Sequence, residues 1–391
     1  MQPSATLAMT AAAKTRKAAG HPVISLSAGE PDFATPELVA EAGISAIRAG
    51  QTRYTHNLGM PELRVAIASK LLKENGLSYD PDSIICSNGA KQSVALAISV
   101  LCRDGDEVLI PSPYWVSYPE MVRFAGGTPV IVQTTVEDNY LLSPDQLEAA
   151  ITDKTRMLVL CSPSNPTGGV YPKQHLEALA AVLRRHPNVF VISDEIYEHI
   201  IYDTAHVSIA SFEGMKDQTV TINGFSKAFA MTGWRLGYLA ARPDIVKAAS
   251  KLQGQMTSAP STISQVAGIS ALALDHQVIQ DMVDQFRKRR DMMVASLKSI
   301  PGVKCPTPEG AFYVFPDVGD YLGGTTASGR VLKTSTDICM YILEEFDLAL
   351  VPGEAFGNDR GIRISYAASD SDLKIACARL HDAFAGITRA Q

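Results

Sequence analysis

The chain is expected to be an α/β protein: a mostly parallel sheet covered by helices on both faces, with a smaller α+β domain attached. From about residue 84 to 240, short apolar runs alternate with helical patterns, the βαβα rhythm of a parallel sheet. Beyond Arg242 the rhythm gives way to helical periodicity as far as about Ile300, after which strand-like segments return. Length agrees, because 391 residues exceed what one simple core accommodates.

Taken in order, the run 83–86 leads into a helix over 91–101, and 107–110 into one near 118–124. The run 156–160 precedes a helix over 172–185, 189–193 ends at Asp194, and 219–222 ends at the loop holding Lys227. Ligands on such sheets bind beyond the carboxyl ends of the strands. Asn88, Asn165, Asp194 and Lys227 all fall there. Further on, a long helix crosses out of the large domain, and its basic run Arg287-Lys288-Arg289-Arg290 reads as a solvated face. Strand-like segments follow at 311–315, 348–351 and 361–366, before a terminal helix over 371–384. Glycine, serine and threonine between 319 and 335 suggest a mobile loop.

Composition narrows the function. Hydrophobic residues at 46% and charged residues at 19% describe a soluble globular protein. A net charge of -6 without a polybasic stretch argues against nucleic-acid and membrane-surface binding. Six scattered cysteines suggest reduced thiols in the cytoplasm and no metal site. Neither a signal peptide nor a run approaching the roughly 20 apolar residues of a membrane helix is read.

The most informative stretch is NGFSKAFAMTGWRLGY, Asn223 to Tyr238. Lys227, preceded by Ser226, sits at a strand end among small residues, where its amine can condense with an aldehyde. Arg235, one short loop on, offers a planar, permanently charged fork for a phosphate. Pyridoxal 5'-phosphate (PLP) carries both groups. The plain alternative is an exposed lysine and a structural arginine, so other parts of the chain have to decide. PLP acts as an electron sink only while its ring nitrogen stays protonated, which an acidic side chain ensures. Asp194 either serves that nitrogen or caps the segment after it. Tyr197 either reaches the phenolic oxygen or is an ordinary half-buried tyrosine. Asn165 can donate to the same oxygen, and a cis Asn165–Pro166 bond would aim it inward; the alternative is a simple turn. Gly89, Ala90 and Lys91 open a helix whose N–H groups can meet an anion; the alternative is a generic helix start. Trp115 can stack on the ring or belong to the core. Arg363 alternates with Ile362 and Ile364, so it faces either solvent or a carboxylate.

These residues together resemble a family. SAGEPDF (27–33), Tyr54-Thr55…Gly59…Glu62-Leu63-Arg64, SPSNPTG, SDEIYE, the SK…GWRLGY loop and RISYA occur in the order and spacing of the class I, fold-type I PLP-dependent aminotransferases. The resemblance covers essentially the whole chain. It implies a seven-stranded sheet, a large PLP-binding domain over 36–285, and a small domain from 1–35 with 286–391. It implies Lys227 as the Schiff-base lysine and proton carrier, Asp194 on the ring nitrogen, Asn165 and Tyr197 on the phenolic oxygen, and Trp115 on the ring face. The phosphate would meet Gly89, Ala90, Lys91, Ser226, Arg235 and Tyr54 from a second subunit, hence a homodimer. Arg363 would hold the substrate α-carboxylate with Asn165, Trp115 and the Gly29 backbone. One departure is Gly224, where many relatives carry a serine whose hydroxyl meets the phosphate.

The strings QPSAT, SPYWVSYPEMV and PTPEGAFYV resemble most closely the Iγ aspartate aminotransferases, some of which also use prephenate. In that subgroup a lysine at the position of Lys91 goes with the distal carboxylate. Prephenate users tend to carry a cation where this chain has Gln2, so aspartate with 2-oxoglutarate is the expected pair. Prephenate, aromatic or alanine transamination and a C–S lyase are the alternatives among enzymes. A non-catalytic PLP-binding regulatory module is the alternative outside them.

Overall fold

The computed structural model describes residues 5–390. Seven strands form one sheet: β1 (Ile84–Ser87), β2 (Glu107–Ser112), β3 (Thr128–Gln133), β4 (Thr155–Cys161), β5 (Phe190–Asp194), β6 (Thr219–Gly224) and β7 (Gly237–Ala240), in spatial order β1-β7-β6-β5-β4-β2-β3. Only β7 runs antiparallel to its neighbours β1 and β6. The remaining pairs are parallel.

Successive side chains of a strand point to opposite faces, so apolar runs such as Met157–Leu160 supply two cores at once. Met157 and Val159 pack with Ile110, Ile192 and the helices Ala90–Leu101 and Pro243–Met256. Leu158 and Leu160 pack on the other side with Leu109, Val191 and helix Lys173–Arg185. Each fully buried aliphatic side chain contributes about 1.5–3 kcal/mol.

The topology gathers the functional loops. β1, β2, β4, β5 and β6 end on the same edge, and the reversed β7 begins there. The chain therefore leaves β6 at Gly224, carries Lys227 across that edge, and returns past Arg235 into β7. β6 and β7 approach closely at two glycines: a Cβ on Gly224 would lie 2.9 Å from the Cα of Gly237. Position 224 is thus closed by backbone, and glycine there is a packing requirement rather than only a missing hydroxyl.

Smaller strands β8 (Tyr313–Val314), β9 (Val351–Pro352) and β10 (Ile362–Ser365) form an antiparallel sheet in the order β9-β10-β8, with Arg363 on its central strand. Ile24–Ser25 pairs in parallel with Leu348–Ala349, tying the amino-terminal segment to this region.

Two expectations are corrected. Arg289 and Arg290 of helix His276–Lys298 are buried, not solvated. Arg289 bridges Asp32 and Asp370 at 2.8 Å each, and Arg290 meets Asp203 at 2.7 Å. Of the run, Lys288 alone is exposed. The segment 319–335 is also no free loop. Gly323 and Leu332 bond Leu332 and Gly324 carbonyls at 2.7 and 2.9 Å, and Thr325–Thr326 pairs with Ile387–Thr388. Among the described residues, no helix is long and apolar enough to cross a membrane.

Candidate active site

The gathered loops line a cavity of about 370 Å³. Lys227 reaches it from the loop after β6, and its amine donates to the carbonyl of Gly29. Burial, then the nearby charge of Arg363, push this amine down to about 8, so far more of it is free base at neutral pH than of an ordinary lysine.

Asp194, the last residue of β5, is buried on the same cavity. The Tyr118 hydroxyl donates to its Oδ2 at 2.7 Å and the Ile196 amide to its Oδ1 at 3.3 Å. Burial raises its carboxyl to about 6, with the two hydrogen bonds pulling the other way. The hydrogen bonds from Tyr118 and Ile196 thus favour the anion against burial. Tyr197 shares a 2.9 Å hydrogen bond with the Tyr313 hydroxyl, and burial raises its phenol well above the usual range, which keeps it a donor.

Asn165 precedes a cis peptide bond to Pro166, as expected. Its Oδ1 accepts from Arg363 at 3.1 Å, leaving its NH2 without a partner among the described residues. Arg363 is only 2% exposed. Its Nη2 donates to the Ser27 carbonyl at 2.6 Å, its Nε is unpaired, and the rings of Tyr313 and Phe356 flank it at 4.8 and 5.1 Å. Among the described residues no carboxylate pairs with it. A buried permanent cation held only by neutral groups is a receptor for an anion.

A second cationic end is built by backbone. Arg235 donates to the carbonyls of Thr232 at 2.9 Å and Asn88 at 3.2 Å, in a left-handed conformation (φ 55°) that non-glycine residues seldom adopt. Gly89, also left-handed (φ 83°), lets the Arg235 guanidinium lie close against the backbone: a Cβ would sit 2.5 Å from Arg235 Nη2, and Arg235 would have to move to admit it. Its own N–H donates to Ser87, so Ala90 and Lys91, not Gly89, present the helix start to the cavity. Gly237 presses from behind, since a Cβ there would lie 2.3 Å from the Ala90 nitrogen. Gly237→Ala is expected to displace this cradle and destabilise the fold by about 1–3 kcal/mol, read as a lower melting temperature.

Lys91 lies with its amine 5.2 Å from the Trp115 ring, and partial burial followed by the Arg235 charge lowers its pKa. Gly29, Trp115 and Ser226 line the cavity. Tyr54 does not; it is 98% exposed. Sequence reasoning missed Tyr118, Cys161, Tyr313, Glu30 and Thr232, which also line the cavity. Tyr118 had a signal: it stands three residues after Trp115, across the short turn that follows the strand. Behind the site, Glu195, Glu198 and His206 converge with ligand atoms within 4.8 Å of one another. Lys70 is the resident cation there, on Glu198.

An aldehyde, a ring nitrogen, a phosphate and a carboxylate thus each have a complementary group: Lys227, Asp194, the Arg235 cradle and Arg363. The comparisons agree with this geometry. Residues 21–380 match the family model "Aminotransferase class I and II". The chain is 54% identical over 391 residues, 99% of its length and 82% of the relative's, to a bifunctional aspartate aminotransferase and glutamate/aspartate-prephenate aminotransferase of Petunia hybrida. It is 45% identical over 390 residues, 99% and 98% of the two chains, to an aspartate/prephenate aminotransferase of Cereibacter sphaeroides. The solved aspartate aminotransferase of Rhizobium meliloti superposes with a TM-score of 0.96 at 44% identity, covering 99% of this chain and 98% of that one. That of Thermus thermophilus with maleate gives 0.92 at 40%, covering 98% and 97%. The chain belongs to the class I and II aminotransferases.

Proposed function

We propose that this chain is a PLP-dependent aspartate aminotransferase, passing the amino group of aspartate to 2-oxoglutarate in a ping-pong cycle that yields oxaloacetate and glutamate. The observation that carries this is the buried Arg363, without an anionic partner among the described residues, on the same cavity as the low-pKa amine of Lys227.

When bound, PLP supplies the electron sink that makes the substrate Cα–H bond acidic. Asp194 would hold the ring-nitrogen proton, Asn165 and Tyr197 would donate to the phenolic oxygen, and Trp115 would cover the ring. Ala90, Lys91, Ser226 and Arg235 hold the phosphate, with Gly89 keeping the approach open. Arg363 grips the α-carboxylate through its two-pronged fork, assisted by Asn165, Trp115 and the Gly29 backbone. Lys91 takes the distal carboxylate. The two-point grip fixes Cα relative to Lys227, whose amine then removes and returns the Cα proton. That the Thermus thermophilus neighbour was solved with maleate, a dicarboxylate, supports a site with two carboxylate receptors.

The enzyme works as a homodimer in which Tyr54 of each protomer completes its partner's phosphate site. The 98% exposure of Tyr54 supports this, as do exposed Leu38, Ile47, Val65 and Leu72 on the helices Glu37–Arg48 and Pro61–Asn75. The large domain spans 36–285 and the small domain 1–35 with 286–391, a division supported by the pairing of Ile24–Ser25 with Leu348–Ala349. Six free cysteines fit a reducing compartment, the cytoplasm.

Lys91→Ala is expected to raise KM for aspartate about tenfold, the worth of a hydrogen bond to a charged group. KM for alanine, which has no distal carboxylate, should stay unchanged. Equal KM for aspartate in variant and wild type would remove Lys91 from substrate binding.

The names of the Petunia hybrida and Cereibacter sphaeroides relatives favour a second reading, prephenate as acceptor. Gln2, which bears on it, lies outside the described residues. One panel tests both: aspartate, alanine and aromatic donors against 2-oxoglutarate, and prephenate with glutamate or aspartate. Aspartate should turn over fastest, without release of pyruvate or ammonia. Preference for alanine or an aromatic donor contradicts the aspartate assignment.

A further inference from the structure

We propose that Tyr118 is a positioning residue for the reaction: its hydroxyl fixes the plane of the Asp194 carboxylate and keeps it ionised where it meets the cofactor's ring nitrogen. The inference rests on the reading above and extends it to a residue with no role so far.

The geometry begins with the chain turn after β2. Trp115 and Tyr118 stand at the two ends of the tight turn that leads into helix Tyr118–Phe124, the Tyr118 amide bonded to the Trp115 carbonyl at 3.0 Å and the two rings edge to face at 5.2 Å. The turn that presents Trp115 to the cavity thus fixes Tyr118 as well. Tyr118 is 2% exposed, and its hydroxyl donates to Asp194 Oδ2 at 2.7 Å. The other bond to this carboxylate, from the Ile196 amide to Oδ1, is long at 3.3 Å. Tyr118 is therefore the strong donor, and it restricts rotation of the carboxylate about its terminal torsion.

The charged and titratable groups around Asp194 come from each packed element. Lys227, from the loop after β6, favours the anion, and Glu195, the next residue, opposes it. Glu195 is engaged elsewhere, accepting from Ser193, Ser208 and His206 at 2.7, 2.6 and 3.1 Å. The Cys161 thiol, across from β5 at the end of β4, donates to the Pro163 carbonyl and is kept neutral by burial. Burial is the largest influence driving Asp194 toward the neutral acid, and among the described residues only Tyr118 and Ile196 hydrogen-bond against it. A neutral or tilted Asp194 holds a ring-nitrogen proton less firmly.

Tyr118→Phe removes one oxygen and keeps the ring in place, so the fold survives. In the PLP-loaded enzyme the variant should lose roughly tenfold in kcat, the worth of one hydrogen bond to a charged group, with KM for aspartate unchanged. The dissociation constant for PLP should rise, and the pH midpoint of the bound cofactor's visible absorbance should move upward as positive charge leaves the ring. In an Asp194→Asn background the same substitution should change none of the three, because its effect runs through that carboxylate. Unchanged kcat, PLP affinity and absorbance midpoint in Tyr118→Phe overturn the proposal. So does an equal loss in the Asp194→Asn background, which marks a packing role. A wild-type protein that binds no PLP overturns the functional reading along with it.

Discussion

Replacing Lys227 by alanine is expected to cost at least about 10⁴ in kcat, the upper range for one acid–base group, because the same side chain both anchors the cofactor and carries the proton. PLP should still bind noncovalently, since the Arg235 cradle, Asn165, Tyr197 and Asp194 remain. Purified Lys227→Ala should therefore retain cofactor while losing the wild-type visible absorbance. Full transamination with unaltered absorbance would remove the lysine from the mechanism. The lowered amine adds a pH signature. With its pKa near 8 rather than 10.5, the free base grows as pH rises through about 8. Cofactor loading of apoenzyme should accelerate with pH across that window and level off above it. Acceleration that continued to pH 10 would mean an unperturbed lysine.

The second large effect belongs to Arg363. It is buried, its Nη atoms are held by Asn165 and Ser27, and two aromatic rings clamp it. Arg363→Ala should reduce kcat/KM for aspartate and for 2-oxoglutarate alike by on the order of 10³, because truncating one partner of a buried charge pair costs about 2–5 kcal/mol. Arg363→Lys should restore little, since an ammonium cannot offer the planar fork. The affinity for PLP should change far less, as the phosphate cradle is separate. A loss confined to one of the two substrates would contradict a shared α-carboxylate grip.

Much of this site is legible in the chain because its parts lie at strand ends, where local pattern reports position. Continuous apolar runs end at Cys161, Asp194 and Gly224, and the residues just past them face the cavity. Strand β3 is harder to see, since Thr128–Gln133 is only partly buried and contains a proline. The four-residue β7 is likewise masked by the loop motif it closes. The buried Arg289 and Arg290 look like a solvated face because their partners Asp32, Asp203 and Asp370 lie far away in sequence. For the same reason the contact between Tyr118 and Asp194, 76 residues apart, is invisible until the fold is known. Gly224 is the reverse case. As a departure from the family pattern it reads as a lost hydroxyl, whereas the backbone of Gly237 leaves that position no room for a side chain.

The central claim is that Lys227 carries the cofactor. Borohydride reduction of the PLP-loaded enzyme, followed by peptide mass spectrometry, tests it most directly. The account predicts a single pyridoxyl phosphate group on the peptide containing Lys227, lost when aspartate is added first. Labelling of Lys91 or another lysine, or of none, would contradict it.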